Sequence, residues 1–360
     1  MAIKLQTKEL QSVTQQLGKV QINRLLEITK YWHIYGSDGF ITFTAYDGAD
    51  FVRISFEHEG DLDVIVNSEQ FSKLIDKTTV SHVTLEQLES SLKVVGNGEY
   101  FLEIVTEDEE YPTFDEFLPE DIDTMPYLEL KSQIFSDISD INSSSVSKSQ
   151  ADGIYTGYLI DRNKSISTDI IKVCIHETYN FDNKFLISSS AMNILSTIKD
   201  EDIFVWFIES EVANFLYITS ASSEIFIRLM EGVEDYVDVA EIDEQSFDHS
   251  VTLPTVDIQS VISRLSLFMS VFDKGTINLT LTKKHLALST STGSKEIVKY
   301  SSDVKNVAEF SCVLNSTLLS DILSTVTDAS LKLSYGNDTA VKIESSNAHY
   351  FVALQEGDGE

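Results

Sequence analysis

Histidine, cysteine and carboxylate side chains are the groups that most often transfer protons or bind metals, and in this sequence they form no catalytic pattern. The seven histidines are scattered, and none of them stands in a His-x-Glu or His-Glu-x-x-His pattern. Cys174 and Cys312 lie far apart in apolar, strand-like stretches without close cysteine or histidine neighbours. We therefore expect reduced, buried thiols in a cytoplasmic protein, no metal site and no catalytic centre.

Two other kinds of stretch in the sequence could bind a ligand. Gly96-Asn97-Gly98 matches half of a dinucleotide-binding fingerprint, but the third glycine and the following helix are missing, so the stretch predicts a hairpin turn. Acidic runs at 107–110 and 115–123 lack the ligand spacing of a calcium loop and predict solvated loops. No Gly-Lys-Ser/Thr phosphate loop occurs either. These patterns predict a protein that is not an enzyme and that requires no cofactor.

The most pronounced feature of the composition is its acidity, with 58 Asp and Glu residues, 26 Lys and Arg residues and a formal net charge of −32. Such a chain repels DNA phosphates unless its few basic groups are gathered on one face. Composition leaves open whether the charge is spread evenly or segregated in this way. No stretch approaches about 18 consecutive apolar residues, and the first residues lack the apolar core of a signal peptide. We therefore expect no membrane contact.

Three segments of the chain read alike, and each predicts a strand that ends at a helix. Asn67, Ser188 and Asn315 each follow an apolar residue and can serve as the N-cap of a helix. The residues that follow place apolar side chains at matching helical positions, namely Phe71 and Leu74, Met192 and Leu195, and Leu319 and Ile322. The segments are about one domain length apart, so the repeating unit is a domain and not a solenoid repeat.

Further helices and strands can be placed around these segments. The predicted helices cover 7–19, 68–78, Gln133–Asn142, 257–269 and 316–326. The predicted strands are Phe40–Tyr46, Phe51–Phe56, Val83–Leu88, Leu92–Val105, Tyr155–Ile160, Ile203–Glu209, Phe215–Thr219, Glu224–Met230, Ile277–Thr282, Leu286–Thr290, Leu331–Tyr335 and Ala340–Glu344. The sequence therefore predicts an α+β protein of three repeated domains, 1–124, 125–249 and 250–360, each with two helices and roughly eight antiparallel strands.

Several stretches resemble one protein family in the order in which they occur along the whole chain. They are Gly96–Ile104 followed by Glu110-Tyr111-Pro112, Thr156–Ile160, Ser167-Thr168-Asp169, Gly232 with Asp235-Tyr236, and Tyr350-Phe351-Val352. Together with the triplicated α+β domain, they resemble the DNA polymerase III beta subunit family of sliding clamps. Departures occur at Ile170-Ile171-Lys172, where the family reads Gly-His-Arg, and at Glu234, where it has proline. The terminal Met-Pro-Met is replaced by Ala353-Leu354-Gln355. The chain thus resembles a divergent member of the family, such as one encoded by a virus or plasmid.

The resemblance implies a DNA sliding clamp, a processivity factor without catalytic activity. In the family, two three-domain chains close head to tail into a six-domain ring around duplex DNA, without regard to base sequence. An ATP-dependent clamp loader places the ring, which then tethers the replicative DNA polymerase. The resemblance implies that helix faces line the channel, where the basic residues here are Lys8, Lys19, Arg24, Lys73, Lys77, Lys199 and Arg264. The helix at 316–326 offers only serine, threonine and Asp321, so we expect a weakly positive channel.

Two more sites follow from the same resemblance. Leu267 points away from the apolar stripe of helix 257–269 and Phe268 flanks it, which indicates an interface, although a loop could also cover a leucine at a helix end. In the family this position meets the strand near Phe101 of a second copy, which gives the homodimer. The family also has an apolar pocket between domains 2 and 3 that takes a short linear motif of partner proteins. The matching residues are Tyr155, Thr168, Ile170, Lys172, Val173, Val239, Phe351 and Ala353.

Two other classes of function remain open from the sequence. One is a non-ring structural or interaction protein built from duplicated domains, which would not be retained on DNA. The other is an acidic DNA mimic, which the net charge of −32 would suit. A mimic would carry acidic groups on the helix faces where this chain has Lys8, Lys19, Lys73 and Lys77. The position of these lysines in the fold therefore helps to separate a mimic from a clamp.

Overall fold

The computed structural model describes residues 2–105, 111–269, 275–300 and 307–355, and the acidic run at 107–110 lies outside these ranges. The described chain is α+β, as predicted, with antiparallel sheets and few helices. Its α-helices are α1 (Thr7–Leu17), α2 (Ser68–Asp76), α3 (Gln133–Asn142), α4 (Ser189–Leu195), α5 (Val239–Asp243), α6 (Thr255–Ser266) and α7 (Ser316–Thr325). No helix in the described ranges is both long and apolar enough to cross a membrane.

The strands fall into three consecutive sets of eight within the described residues. The first set is β1 (Ala2–Gln6), β2 (Tyr31–Ser37), β3 (Phe40–Tyr46), β4 (Phe51–Glu57), β5 (Leu62–Asn67), β6 (His82–Gln87), β7 (Ser91–Val95) and β8 (Glu99–Glu103). The second is β9 (Leu128–Lys131), β10 (Gly157–Asp161), β11 (Lys164–Thr168), β12 (Lys172–Glu177), β13 (Lys184–Ser188), β14 (Asp202–Glu209), β15 (Asn214–Thr219) and β16 (Ser223–Arg228). The third is β17 (His249–Pro254), β18 (Thr276–Leu281), β19 (His285–Ser289), β20 (Lys295–Lys299), β21 (Phe310–Asn315), β22 (Ser330–Tyr335), β23 (Ala340–Glu344) and β24 (Ala348–Ala353).

These elements pack into two compact units. The first unit comprises Met1–Ser136 and Ile187–Met230, and the second comprises Asp137–Leu186 and Glu231–Glu360. The first unit holds a sheet of order β1-β6-β7-β8 and a longer sheet of order β5-β2-β3-β4-β16-β15-β14-β9. In the second unit the orders are β20-β19-β18-β21 and β13-β10-β11-β12-β24-β23-β22-β17. The division of the chain into domains at 124 and 249 stays a prediction.

The predicted caps explain where three of the helices begin. The Asn67 side chain accepts a hydrogen bond from the Gln70 N–H at 3.0 Å at the start of α2. Ser188 caps α4 in the same way, and Asn315 accepts from two backbone N–H groups at the start of α7. Each cap satisfies donors that the first turn of a helix leaves without an intrahelical partner. The repeat seen in the sequence is thus a repeat of structure.

The first and third repeats also share a bond between their two helices. In the first repeat the Gln11 Nε2 donates to the Ile75 carbonyl oxygen at 3.1 Å, at the C-terminal end of α2. In the third repeat Gln259, at the same position of α6, donates to the Leu323 carbonyl at 2.6 Å at the end of α7. Both amides satisfy carbonyls that the end of a helix leaves free. Apolar stripes on α1 and α6 are fully buried, as predicted.

Some predicted boundaries differ from the structure for local reasons. The predicted strand Leu92–Val105 is two strands, β7 and β8, separated by the turn at Gly96-Asn97-Gly98, which confirms the predicted hairpin. The predicted strand Tyr155–Ile160 begins only at Gly157, because Gln150–Thr156 forms a 3-10 segment bent at Gly153. The helices predicted over 7–19 and 257–269 end at Leu17 and Ser266.

One junction inside the first unit is held by a partly exposed polar network. The antiparallel pairing of β4 with β16 sets Arg53 opposite Glu224. The Arg53 guanidinium lies 3.2 Å from the Glu224 carboxylate, 3.0 Å from that of Asp115, and over the Phe114 ring at 4.4 Å. Beside them, the buried Asp50 carboxylate accepts a hydrogen bond from the Arg228 N–H at 3.0 Å, and burial raises the pKa of Asp50 to about 7. The junction therefore combines strand pairing with charge pairing.

Candidate functional site

Basic side chains are exposed on the helices of the first unit and on the segments that follow them. Because Leu10, Val13 and Leu17 turn one face of α1 into the core, Lys8 and Lys19 lie exposed on or just beyond the rest of that helix. The remaining predicted cations of this unit are also exposed, and they are Arg24, Lys73, Lys77 and Lys199. The structure therefore places all six of them on the surface of the same compact unit.

A concavity of about 620 Å³ brings two of these cations together. It is lined by the ends of α1 and α2 and by the residues that follow α4, and it includes Lys19 and Lys199. The Lys199 ammonium donates to the Ser12 hydroxyl at 2.7 Å, and the Gln16 amide donates to the Thr197 carbonyl at 2.8 Å. The Asp76 carboxylate also lines the concavity, so its two ammonium groups and hydroxyl groups suit weak contact with a phosphate oxygen.

Other predicted cations are neutralised by carboxylates on their own unit. Lys73 forms an ion pair with Glu69 one turn earlier on α2. Arg264, in the second unit, donates two hydrogen bonds to the Glu296 carboxylate, of 2.9 and 2.6 Å. Side-chain hydrogen bonding to Arg264 lowers the pKa of Glu296, so this carboxylate is ionised near neutrality. In the described residues Lys8, Lys19, Arg24 and Lys77 take part in no such ion pair.

The predicted pocket residues lie in the second unit, around the pairing of β12 with β24. Val173 and Phe351 are direct cross-strand partners and both are buried. The Ala353 N–H donates to the Ile171 carbonyl at 2.9 Å, which joins the end of β24 to the turn before β12. Val239 is half-buried at the start of α5. The structure therefore brings Val173, Phe351 and Ala353 together.

Two predicted pocket residues are built into the framework of this region. Lys172 is only 3% exposed, and its ammonium lies 3.6 Å from the Asp169 carboxylate and 3.5 Å from that of Asp321 on α7. Thr168 is fully buried and its hydroxyl donates to the Lys172 carbonyl at 2.8 Å. Because a buried charge is retained only when it is paired, this lysine holds β12 against α7.

The most exposed predicted pocket residue is Ile170, in the turn between β11 and β12. Its side chain is 64% exposed and its φ is +76°, a left-handed conformation that is strained for a β-branched residue. The turn is held by Thr168, whose hydroxyl accepts from the Ile170 N–H at 2.9 Å, and by Asp169, which accepts from two further N–H groups. The neighbouring Ile171 is also exposed. This turn offers an apolar surface to solvent.

Sequence reasoning missed aromatic and basic residues that complete the region. The Tyr155 ring packs edge-on against Tyr236 with centroids 5.3 Å apart, and burial raises the pKa of the Tyr236 hydroxyl. Tyr236 also reaches a backbone group of Thr168, so it connects two of the predicted residues. Lys342 lies over the Phe351 ring at 5.2 Å. The Asp235-Tyr236 motif was a signal for this tyrosine, whereas Lys342 is recognisable only from the pairing of β23 with β24.

The predicted interface residues are among the most exposed large apolar groups of the chain. Leu267 is 79% exposed and Phe268 is 60% exposed at the end of α6, so within the described ranges no segment covers that leucine. The Phe268 carbonyl accepts a hydrogen bond from the Thr292 hydroxyl at 3.1 Å, which places it beside the turn from β19 to β20. Phe101 is 59% exposed on β8, a strand at the edge of its sheet. Exposed apolar groups of this size usually mark an interface.

Metal-binding clusters were also sought in the described part of the chain. No group of three or more His, Cys, Asp or Glu side chains there is placed so that it could hold a metal ion. Cys174 is buried and Cys312 is half-buried, and both are free thiols. The prominent chemistry of the described surface is therefore charge and apolar exposure.

Comparison with known proteins finds similarity in structure only. No protein-family model matches the sequence, and no curated protein matches it either. The fold is similar over 99% of both chains to DNA polymerase III subunit beta from Borrelia burgdorferi, with a TM-score of 0.85 at 14% identity. It is also similar to the DNA polymerase III beta chain from Streptococcus pneumoniae, covering 99% of this chain and 100% of that one, with a TM-score of 0.84 at 14% identity. The DNA polymerase sliding clamp from Bacillus subtilis matches with a TM-score of 0.82 at 17% identity over 99% of both chains. The chain therefore has the sliding-clamp fold, as the sequence motifs predicted.

Proposed function

We propose that this protein is a DNA sliding clamp, a processivity factor that encircles duplex DNA and tethers a replicative DNA polymerase in the cytoplasm. The observation that carries the proposal is the likeness of fold along 99% of the chain to structures named as polymerase III beta subunits and sliding clamps. Clamps act by linkage and not by catalysis, so the protein is proposed to be neither an enzyme nor dependent on a cofactor. An ATP-dependent clamp loader is proposed to open and close the ring.

The ring is proposed to be a homodimer of two head-to-tail chains, with three domains contributed by each. Support comes from the exposed Phe101 on the edge strand β8 and from the exposed Leu267 and Phe268 at the end of α6. Burial of one such side chain stabilises an interface by roughly 1.5–3 kcal/mol. A free monomer would leave these apolar groups in water, so a second copy is the partner that they fit.

Weak contact with phosphates is proposed to hold DNA inside the ring. Lys19 and Lys199 share one concavity, and Lys8, Lys77 and Arg24 are exposed. A chain of net charge −32 cannot bind duplex strongly through so few cations, and it does not need to, because a closed ring is retained topologically. Loose contact also allows the ring to slide.

Partner proteins are proposed to dock at the turn and strands around Ile170, Val173 and Phe351. The exposed isoleucines of the turn, the buried aromatic residues behind it and the Lys342 ammonium provide an apolar surface with a basic group. A short hydrophobic linear motif of a polymerase or loader is the ligand that such a surface fits. The order of events is then loading, docking and sliding.

The experiment that tests the proposal measures retention on circular and linear DNA. The protein is incubated with nicked circular plasmid, an ATP-dependent clamp loader and ATP, washed in high salt and separated by gel filtration. A clamp stays on the circle through the salt wash and is lost after one restriction cut. Equal retention on circular and linear DNA would indicate ordinary binding, and no retention on either would favour a structural protein. A DNA mimic would instead compete with duplex for a DNA-binding protein.

A further inference from the structure

Two connecting segments of the chain, 111–127 in the first unit and 236–248 in the second, begin at equivalent points. The Tyr111 hydroxyl donates to the carbonyl of Tyr31, the first residue of β2, at 3.0 Å. The Tyr236 hydroxyl donates to the carbonyl of Gly157, the first residue of β10, at 3.5 Å. Each of these strands stands second in the order of the long sheet of its own unit. The two segments can therefore be compared position by position from their tyrosines.

The first connecting segment is held on its sheet mainly by apolar contacts. Phe114, three positions after the tyrosine, is fully buried, and its ring stacks on that of Phe226 with centroids 5.7 Å apart. Leu118, seven positions after the tyrosine, packs against the same cluster of buried side chains. An ion pair of Asp115 with Arg53 adds to these contacts. Salt does not screen the apolar part of this attachment.

The second connecting segment has an ionic contact at the corresponding place. Asp243, the last residue of α5, stands seven positions after Tyr236. Its carboxylate lies 2.7 Å from the ammonium of Lys164 on β11 and 3.6 Å from the imidazole of His349 on β24. Burial raises the pKa of Asp243, but the hydrogen bond from Lys164 and the charges around it bring the pKa below its usual value, so the carboxylate is ionised near neutrality. Charge thus holds the segment on two strands of its sheet.

The ion pair at the end of α5 is only partly shielded from water. The Lys164 side chain is 37% exposed and that of Asp243 is 25% exposed. A pair at this depth is stronger than one in open solvent, but salt still screens it. A rise in salt concentration should therefore loosen the second connecting segment more than the first.

The side of α5 that carries Asp243 also carries a residue of the proposed docking surface. Val239 lies four positions before Asp243, so both side chains are on one side of the helix. Because Asp243 reaches the strands of the sheet, the half-buried Val239 faces the sheet as well. After α5, the Phe247 ring packs against that of Phe351 with centroids 6.3 Å apart. The position of α5 therefore determines where the edge of the docking surface lies.

We propose that Asp243 is a positioning residue: its ion pair with Lys164 holds α5 against β11, and α5 thereby keeps Val239 at the edge of the docking surface. The proposal rests on the proposed function, because the docking surface is itself a proposal. Asp243 acts through the helix that carries it and not through contact with the partner. Partner affinity then falls with rising salt because the ion pair within the protein weakens, even when the partner peptide carries no charge.

Amide hydrogen exchange of the full chain tests whether the ion pair holds α5. Asp243→Asn and Lys164→Gln are each expected to speed exchange at 239–244 about tenfold, because α5 leaves the sheet more often. Lys164→Arg is expected to keep the wild-type rate, since a guanidinium can still pair with the carboxylate. Glu241→Gln is the matched control, because it removes an exposed carboxylate of the same helix. Exchange at 114–118 should change in none of these variants.

Titration calorimetry with an uncharged peptide, acetyl-Ser-Leu-Leu-Phe-Gly-amide, tests whether the helix positions the docking surface. Asp243→Asn and Lys164→Gln are expected to weaken binding about threefold or more, because the apparent affinity falls with the fraction of chains whose α5 is in place. Lys164→Arg and Glu241→Gln should bind as the wild type does. Between about 0.1 and about 1 M salt the wild-type affinity should fall and that of Asp243→Asn should not, since only the wild type has an ion pair to screen.

The two measurements separate the steps of the proposal. Wild-type exchange at 239–244 in the Asp243→Asn variant would show that the ion pair does not hold α5. Faster exchange with unchanged peptide affinity would overturn the positioning role. A wild-type chain that does not bind the peptide would overturn the docking surface and the positioning role together, whereas retention on circular DNA decides separately whether the protein is a clamp.

Discussion

The helix pair α1–α2 of the first unit and the helix pair α6–α7 of the second have the same internal construction but different surfaces. Thr7 and Thr255 begin the first helix of each pair. The Thr7 N–H donates to the Ser81 carbonyl at 3.0 Å and the Thr255 N–H to the Ala329 carbonyl at 3.1 Å, in each case just before the strand that follows the second helix. Gln11 and Gln259 then bond the end of the second helix. Most positions that contact the core carry similar residue types in the two pairs, but the buried Thr14 and Gln16 of α1 correspond to Ile262 and to the exposed Arg264 of α6.

At the exposed positions the two pairs diverge. Counted from these equivalent threonines and from the caps of the second helices, Lys8 corresponds to Val256 and Lys19 to Leu267, while Lys73 corresponds to Asp321. At these three positions the first pair presents lysines and the second presents apolar groups and an acid, although α6 also carries the exposed Arg264. One scaffold thus carries two different surfaces, which suits the proposal of phosphate contact by the first pair and of contact with a second copy by the other, where Asp321 also pairs with the buried Lys172.

The largest effect is expected at the end of α6. Leu267→Asp or Phe268→Asp should convert the proposed dimer into a folded monomer, because a charge replaces an apolar group whose burial would contribute roughly 1.5–3 kcal/mol to the dimer interface. Val256→Asp is the control, since Val256 is also exposed, at 66%, on the same helix but at its start. Light scattering and circular dichroism measure mass and folding. A dimer that persists in both the Leu267→Asp and the Phe268→Asp variant would show that the end of α6 is not part of the interface.

Substitutions of Lys73 and of Asp321 should change the free energy of unfolding by very different amounts, although the two residues occupy equivalent helix positions. Asp321→Asn should lower the free energy of unfolding by roughly 2–4 kcal/mol, because it removes one of the two partners of the buried Lys172 ammonium. Lys73→Gln should change it by at most about 0.5 kcal/mol, since Lys73 and Glu69 are exposed. Urea titration of both variants compares them, and equal losses would show that Lys172 does not depend on Asp321.

Charge reversal in the concavity should weaken direct DNA binding more than reversal elsewhere on the same unit. Lys19→Glu with Lys199→Glu should reduce duplex affinity by about tenfold at low salt and flatten its salt dependence, because two phosphate contacts are lost. Lys73→Glu should have a smaller effect, because the Lys73 ammonium is already paired with the Glu69 carboxylate. Fluorescence anisotropy with a short duplex at several salt concentrations measures this. Equal losses in both would argue against a special role of the concavity.

The smallest difference is expected at the two glutamines that make the same bond. Gln11→Ala and Gln259→Ala should each destabilise the protein by about 1–2 kcal/mol, since each leaves helix-end carbonyls without a donor. Leu could replace either glutamine as a size control. Thermal unfolding followed by circular dichroism reports the two losses. Clearly unequal losses would show that the helix pairs are equivalent in geometry but not in energy.

The helices and their caps could be predicted from the sequence because both depend on neighbouring residues. Asn67, Ser188 and Asn315 precede apolar residues at helical spacing, and all three cap a helix. The sequence-based analysis placed no strand at β2 or β12, each of which forms a hairpin with an adjacent strand and also pairs with a more distant one, β5 and β24 respectively. The pairing of β4 with β16 is also long-range, and no local sequence pattern predicts it.

The candidate site was predictable where exposure follows from helical periodicity. Lys8, Lys19 and Leu267 lie on polar helix faces in the sequence and are exposed in the structure. The burial of Lys172 could not be predicted in this way, because its partner Asp321 lies on a helix of another repeat. The positive φ of Ile170 was also unpredictable, since isoleucine rarely adopts that conformation.

The Asp50 carboxyl at the junction of β4 with β16 makes the stability of the folded chain depend on pH. Burial is the main cause that raises its pKa to about 7, with the Asp47 charge adding to the effect. A carboxyl whose pKa is higher in the folded chain than in the unfolded chain takes up a proton on folding. Stability from this group is therefore greatest in acid and declines as pH rises from about 4 towards 7, beyond which the loss is complete.

An Asp50→Asn chain should lack this dependence while keeping an acceptor for the Arg228 N–H, so the difference between the two melting curves across pH isolates the proton linkage. If the two curves run parallel from pH 4 to 8, the carboxyl does not titrate in that range. In a ring, the same linkage would make the first strand junction looser in alkaline than in mildly acidic surroundings.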